Sequence, residues 1–238
     1  MESSAPKLSM EEAAEINGRA MVEGMSHEEV LDVYRKMAPM FDQALHPQYH
    51  LGPQHAAEAL AYQVPGHLRT SFKVLDVGAG TGFVGTQLSQ LGFDQMEALE
   101  PSKELLDQAI KKDVYKKVYC TKIGGKPVDL EDDTYDGIVT NGCFGAPLIP
   151  CEAMIDMIRI VKSGGFIVIS LKEIRLIENA ELNNRFEPFM KKLESARAWK
   201  MIKREVRPNL AHNGNGVIYT CKNKRAPPTR QDVFTKTS

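Results

Sequence analysis

The segment Val74-Leu75-Asp76-Val77-Gly78-Ala79-Gly80-Thr81-Gly82-Phe83-Val84-Gly85 constrains this chain more than any other. An apolar, strand-like run meets an acid, and glycines at 78, 80 and 82 then lead into a helix. Side chains at those three positions would obstruct a tight turn and hold a ligand off the backbone, and glycine removes both obstacles. An ordinary strand-to-helix turn needs one glycine rather than three, so the segment reads as a nucleotide-cofactor loop. Met96-Glu97-Ala98-Leu99-Glu100 then forms a second short strand, ending in a carboxylate about twenty residues after Gly80. That spacing sets an acid on ribose hydroxyls in doubly wound folds. The plainer reading of Glu100, an exposed acid near a helix start, fits less well behind a buried strand.

The rest of the chain alternates strand and helix, which calls for a parallel sheet covered on both faces. Strands are expected near 72–76, 95–99, 118–121, 136–140 and 166–171, with helices beginning near Phe83, at Ser102 as N-cap, and near Pro150. Met154, Ile155, Ile158 and Val161 keep the amphipathic period of the last of these. Leu182, Phe186, Phe189, Met190 and Leu193 mark a further helix. Segments 201–207 and 217–221 read as closing strands separated by the polar stretch Asn213-Gly214-Asn215-Gly216. Upstream, Ser26-His27-Glu28-Glu29 is a capping box before a helix over 27–37 that Pro39 should end. Residues 9–24 are expected to be helical and the first eight frayed, while Gly52-Pro53 opens a helix stopped by Pro65-Gly66. With 238 residues and no internal repeat, one domain is expected. Its parts are an N-terminal extension over 1–24, a domain over 25–224 with a helical cover at 25–66, and a flexible tail over 225–238.

Gly80-Thr81-Gly82-Phe83-Val84-Gly85 also satisfies the dinucleotide pattern G-x-G-x-x-G, so the neighbouring residues decide. A short-chain nicotinamide reductase needs a Tyr-x-x-x-Lys pair, and no tyrosine of this chain supplies one. Here the glycines follow Asp76 as D-x-G-x-G-x-G, and Pro101-Ser102-Lys103-Glu104-Leu105-Leu106 follows Glu100. This combination resembles the class I S-adenosylmethionine-dependent methyltransferases. The resemblance extends to Tyr135-Asp136-Gly137-Ile138-Val139-Thr140-Asn141, similar to the family's fourth strand, and to 161–169, similar to its fifth. Tyr34-Arg35-Lys36-Met37-Ala38-Pro39-Met40-Phe41-Asp42 matches the Y-x-x-x-A-x-x-[YF]-D segment of the methyltransferase-like protein 27 group from the Williams-Beuren region, with Phe41 where many relatives carry tyrosine. The resemblance implies an α/β, doubly wound, seven-stranded and mostly parallel sheet with an antiparallel last strand and an N-terminal helical cover.

It also implies S-adenosyl-L-methionine as cofactor, held by Gly78, Ala79, Gly80, Thr81, Gly82, Glu100 and Pro101, with Asp76 organising the turn at the methionine end. Asn141 would reach the methionine moiety and Tyr34 would cover the site. Relatives often present an acid to the adenine amino group, but Tyr119-Cys120-Thr121-Lys122-Ile123 has none, so backbone groups and Ile123 are left for the adenine. Asn141-Gly142-Cys143-Phe144 lacks both prolines of the D/N-P-P-Y/F sequence of base-amino methylating enzymes, which disfavours that acceptor. Methyl transfer from a sulfonium needs mainly alignment, desolvation and an acceptor freed of its proton. The candidate bases are Tyr34, Asp42, His46 and His50, set against helix packing for Tyr34 and a surface turn for Asp42. Cys143 has no paired base in the sequence and reads as a small buried thiol.

A net charge of −1 with 26% charged residues gives no bulk attraction to nucleic acid or membrane. No apolar run is long enough to cross a bilayer, and the first residues lack a secretory pattern, so the cytoplasm is expected, with the nucleus as a second compartment. Cys120, Cys143, Cys151 and Cys221 form no C-x-x-C pair, and His46, His50 and His55 lack a ligand partner at a recognisable spacing, so no metal is expected. A small-molecule acceptor and a monomer are the default readings. Between Lys191 and Arg230, eleven lysines and arginines face two acids, Glu194 and Glu205, which keeps a protein or RNA acceptor open. A cofactor-binding sensor or scaffold without turnover is the reading from a different class.

Overall fold

A computed structural model describes residues 9–20, 22–46, 50–211 and 214–224. β1 (Val74–Val77) is buried along its whole length. On one side it pairs in parallel with β2 (Met96–Leu99), which pairs with β3 (Lys117–Tyr119). On the other side lie β4 (Tyr135–Asn141) and then β5 (Val161–Lys172), also parallel. β6 (Trp199–Ala211) and β7 (Gly214–Asn223) complete a seven-stranded sheet in the order β3-β2-β1-β4-β5-β7-β6, with β7 antiparallel to both its neighbours. The doubly wound sheet with an antiparallel last strand is therefore the one the sequence predicts. Register sets Asp76 between Ala98 and Val139, so the carboxyl ends of β1, β2 and β4 finish level with one another.

Successive side chains leave a strand on opposite faces, and both faces here are apolar. Val74, Val139, Val168 and Ile218 point to one side. There they pack with Ala56 and Leu60 of α3 (Gly52–Gln63) and Leu88 of α4 (Phe83–Gln90). Leu75, Ile138, Ile167 and Tyr219 point to the other, against Met154 and Ile158 of α6 (Ala153–Ile160) and Phe186 and Met190 of α8 (Phe186–Ser195). α5 (Lys103–Lys111) begins at Ser102, whose hydroxyl accepts from the Leu105 amide, and the short α7 (Arg175–Glu178) follows β5. Its existence is not foreseen from the sequence.

α1 (Met10–Arg19) and α2 (His27–Ala44) lie over the carboxyl edge of the sheet, with Ile16, Met37, Ala38 and Phe41 packed around Leu105 of α5. α2 opens with the predicted capping box: the Glu29 amide donates to Ser26 Oγ at 3.3 Å, and the Ser26 amide donates to Glu29 Oε2 at 2.7 Å. It does not stop before Pro39. Proline withholds an N–H from the Arg35 carbonyl, but both residues lie on the exposed face, while Met37, Ala38, Phe41 and Ala44 bury the opposite one. That burial carries the helix to Ala44.

Other boundaries shift for comparable reasons. Val161 starts β5, paired with Tyr135, instead of ending α6. Leu182 is buried in a turn ahead of α8 rather than within it. Gly214, Asn215 and Gly216 of the expected polar stretch belong to β7, and Asn213 lies outside the described residues, as do residues 1–8, expected to fray, and 225–238, expected to form a flexible tail.

Candidate functional site

The carboxyl ends of β1, β2, β4 and β5 open into one pocket roofed by α2. Its floor is the glycine turn. Gly78 has φ +70°, and a Cβ there would stand 2.3 Å from Cys143 Sγ, so only glycine fits between the β1 and β4 ends. Gly82, at φ +88°, is the N-cap of α4, and a Cβ there would come within 3.1 Å of the Tyr115 ring and 3.3 Å of Ala109. It brings α4 close to α5 and does not line the pocket.

Glu100 is buried at the β2 end, its Oε2 accepting from the Gly80 amide at 2.9 Å and its Oε1 from the Ser102 amide at 2.8 Å. Burial pushes its carboxyl up to about 7, against the pull of those two amides. Asp76 lies beneath the turn rather than in the pocket wall. Its Oδ2 accepts from the Tyr115 hydroxyl at 2.6 Å, and burial pushes it up to about 7 while Tyr115 and the Gly85 amide favour the charged form. Asp76 thus braces the turn from below, with a tyrosine thirty-nine residues away that local motif reading does not find.

Of the expected cofactor residues, Tyr34, Gly78, Ala79, Gly80, Thr81, Glu100, Pro101, Ile123 and Asn141 line the pocket together. Thr81 Oγ1 and Asn141 Oδ1 are buried there with no hydrogen-bond partner among the described residues, which suits a polar ligand and is costly without one. The candidate bases separate. Tyr34 packs edge-on against Phe41 at 5.8 Å, and its hydroxyl is held far above its ordinary range by burial and by Glu100 and Cys143, with Arg175 opposing. His50 lines the pocket, and its Nδ1 accepts the Gly52 amide at 3.2 Å. Asp42 is drawn outward into an ion pair with Lys112 at 2.9 Å. His46 also stands off the pocket, its amide donating to the Gln43 carbonyl and its carbonyl accepting from the His50 amide. Cys143 is no nucleophile: burial and Glu100 push its thiol up to about 12.

The far side is built by residues the sequence reading passed over. Phe144, Leu148, Ile149 and Leu171 form an apolar wall, and Lys172 and Arg175 stand beside it. The signal for them is their position at or just past the carboxyl ends of β4 and β5, the edge at which doubly wound sheets bind ligands. Among the described residues no group of three His, Cys, Asp or Glu could hold a metal ion, and no helix is long and apolar enough to cross a membrane.

The sequence model of a family described as a methyltransferase domain matches residues 47–211. This chain belongs to that methyltransferase-domain family. It is 26% identical to human methyltransferase-like protein 27 over 170 residues, 71% of this chain and 68% of that protein. The fold is similar to that of an S-adenosylmethionine-dependent methyltransferase of Leishmania major, with a TM-score of 0.60 and 18% identity, over 90% of this chain and 91% of that one. It is also similar to 1,6-didemethyltoxoflavin-N1-methyltransferase of Burkholderia thailandensis, solved with its substrate and S-adenosylhomocysteine. There the TM-score is 0.55 at 15% identity, over 93% of each chain. Both the superfamily and the subgroup resemblance read from the sequence are borne out, and the expectation of S-adenosylmethionine as cofactor agrees with them.

Proposed function

We propose that this protein is an S-adenosylmethionine-dependent methyltransferase acting on a small molecule. The observation that carries this reading is the buried, half-satisfied polar lining at the ends of β1, β2 and β4, namely Glu100, Thr81 Oγ1 and Asn141 Oδ1 beside the glycine turn. Glu100 would accept ribose hydroxyls, the side-chain-free turn of 78–80 would let the methionine end lie close to the main chain beside Asn141, and Ile123 and Pro101 would flank the adenine. When bound, S-adenosylmethionine supplies a methyl group already activated on a sulfonium.

The chain contributes exclusion of water and alignment. The rings of Tyr34 and Phe41 offer faces to a cation, a contact of about 0.5–2 kcal/mol. Neither pocket-lining candidate is a ready base. Tyr34 keeps its proton, and the Nδ1 lone pair of His50 is already engaged by the Gly52 amide. The acceptor therefore arrives as a nucleophile in its own right. A polymer acceptor has less support, since the basic C-terminal stretch is partly neutralised: Arg204 pairs with Glu187 at 2.8 Å, Lys203 with Glu205 at 2.6 Å, and Arg207 with Glu205 at 3.3 Å.

Calorimetry with S-adenosylhomocysteine tests the cofactor site, and transfer of radiolabelled methyl into cell extract tests the reaction. Label in the small-molecule fraction is expected. Label confined to protein or RNA overturns the acceptor class, and tight binding with no transfer leaves a non-catalytic binding protein.

A further inference from the structure

The pocket is electrically lopsided. Glu100 is the one carboxylate that lines it among the described residues, and it stands at the β2 end, where Lys122 just past β3 also lines the pocket. Lys172 and Arg175 stand at the β5 end, three strand spacings away, roughly 14 Å. Lys172, half-buried as the last residue of β5, has no hydrogen bond or ion pair among the described residues, and burial and Arg175 hold its ammonium below the usual lysine range. Arg175 uses Nη2 to donate to the Ala146 carbonyl at 3.0 Å, a bond that fixes the guanidinium while most of its N–H groups stay uncommitted. Glu23 and Glu178 act on Arg175 electrostatically without reaching ion-pair distance, and neither lines the pocket. Glu23 is taken by the Ala180 amide at 2.7 Å, and Glu173 faces Asn215. Two adjoining, partly desolvated cations with no carboxylate in ion-pair contact among the described residues are unfavourable unless something anionic completes them.

We propose that Lys172 and Arg175 are the anion-binding end of the acceptor subsite, and that the acceptor is a small organic carboxylate whose apolar body lies along Phe144, Leu148, Ile149 and Leu171. The proposal rests on the methyltransferase reading above. A planar guanidinium fixed at one corner suits the two oxygens of a carboxylate, and the apolar wall beside it disfavours a more strongly hydrated dianion. The placement fits the fold as well. The cofactor residues cluster at the ends of β1, β2 and β4, and β5 is the next strand outward.

The test uses the full chain saturated with S-adenosylhomocysteine, titrated with paired acids and primary amides (phenylacetate and phenylacetamide, hexanoate and hexanamide) and with phenyl phosphate, by ligand-observed NMR. At least one acid should bind about tenfold or more tighter than its amide, the scale of a charged hydrogen-bonded contact. Lys172→Met and Arg175→Gln should each remove most of that preference while changing amide binding and S-adenosylhomocysteine affinity less than about twofold. Lys172→Met keeps the result decisive if loss of the Ala146 contact unfolds the arginine variant. The proposal is overturned if no acid outbinds its amide, if phenyl phosphate outbinds every acid, or if both variants lose S-adenosylhomocysteine in step with the acids, which would assign the cations to the cofactor's own carboxylate. If the wild-type chain fails to bind S-adenosylhomocysteine at all, the underlying reading falls and this one with it.

Discussion

The two ends of the pocket are made of different material. At the β1–β2 end the ligand would meet the main chain of a glycine turn and one carboxylate already held by two backbone donors, all set by residues close together in the chain. At the β4–β5 end it would meet side chains on separate segments, Phe144 and Leu148 after β4, Lys172 at the last position of β5 and Arg175 after it. A site of backbone groups tolerates little change, because no rotamer can relieve a clash with the main chain. A site of side chains can change its preference without disturbing the sheet. The first arrangement suits a fixed cofactor and the second a variable acceptor.

Gly78→Val is the harshest trial of that contrast. The added Cβ would fall on Cys143 Sγ in a backbone region side chains rarely adopt, so cofactor binding should vanish and stability drop by about 2–4 kcal/mol in denaturant titration. Near-normal S-adenosylhomocysteine affinity would show that the turn does not form the floor. Glu100→Gln should weaken S-adenosylhomocysteine binding about tenfold to a hundredfold with the fold intact, the cost of a charged acceptor to hydroxyls; unchanged heat on titration would remove its ribose role.

The pH dependence sharpens the same end of the pocket. Asp76 and Glu100 titrate near 7 in the fold and near 4 in the unfolded chain. Between these values the folded protein binds protons that the unfolded chain has released, so these groups make the ligand-free protein less stable as pH rises from about 4 to 7, with no further change above that. The decline should be shallower in Glu100→Gln. S-adenosylhomocysteine affinity should move the opposite way, rising through about pH 7 as Glu100 ionises, and a flat profile would contradict the assignment.

Smaller effects separate roof from chemistry. Tyr34→Phe keeps the edge-on ring contact and should lower the rate of transfer only a few-fold, whereas a loss of about a hundredfold or more would make its hydroxyl a participant. Asp42→Asn breaks a partly exposed ion pair and should cost under about 1 kcal/mol by thermal shift, with unaltered cofactor affinity.

The contrast also explains what could be read before the structure. Strand order and most of the residues that meet at the β1–β2 end of the pocket are legible because a glycine turn, a strand end and an acid at fixed spacing are local patterns with one mechanical reading. Asp76 is found this way, but its contact with Tyr115 is not, because the chain brings that tyrosine back from beyond α5. Pro39 misleads because its local rule concerns one hydrogen bond, and the burial of Met37 and Phe41 outweighs it. Asp42 and His46 have the right chemistry at the right sequence position, but helix α2 turns one outward and ends before the other. Arg175 escapes notice because only the β4–β5 pairing and the 145–147 loop give it a place.

The roof is fastened to α5 by links of unequal kind. Gln108 Nε2 donates to the Ala38 carbonyl at 2.5 Å, while Arg35–Glu104 at 3.2 Å and Lys112–Asp42 at 2.9 Å are ion pairs open to solvent. Mobile ions weaken such outer charge pairs and leave the amides beneath them nearly untouched. On the proposed reading, concentrated salt is expected to loosen the outer fastening first, so that S-adenosylhomocysteine enters and leaves faster while its affinity stays the same.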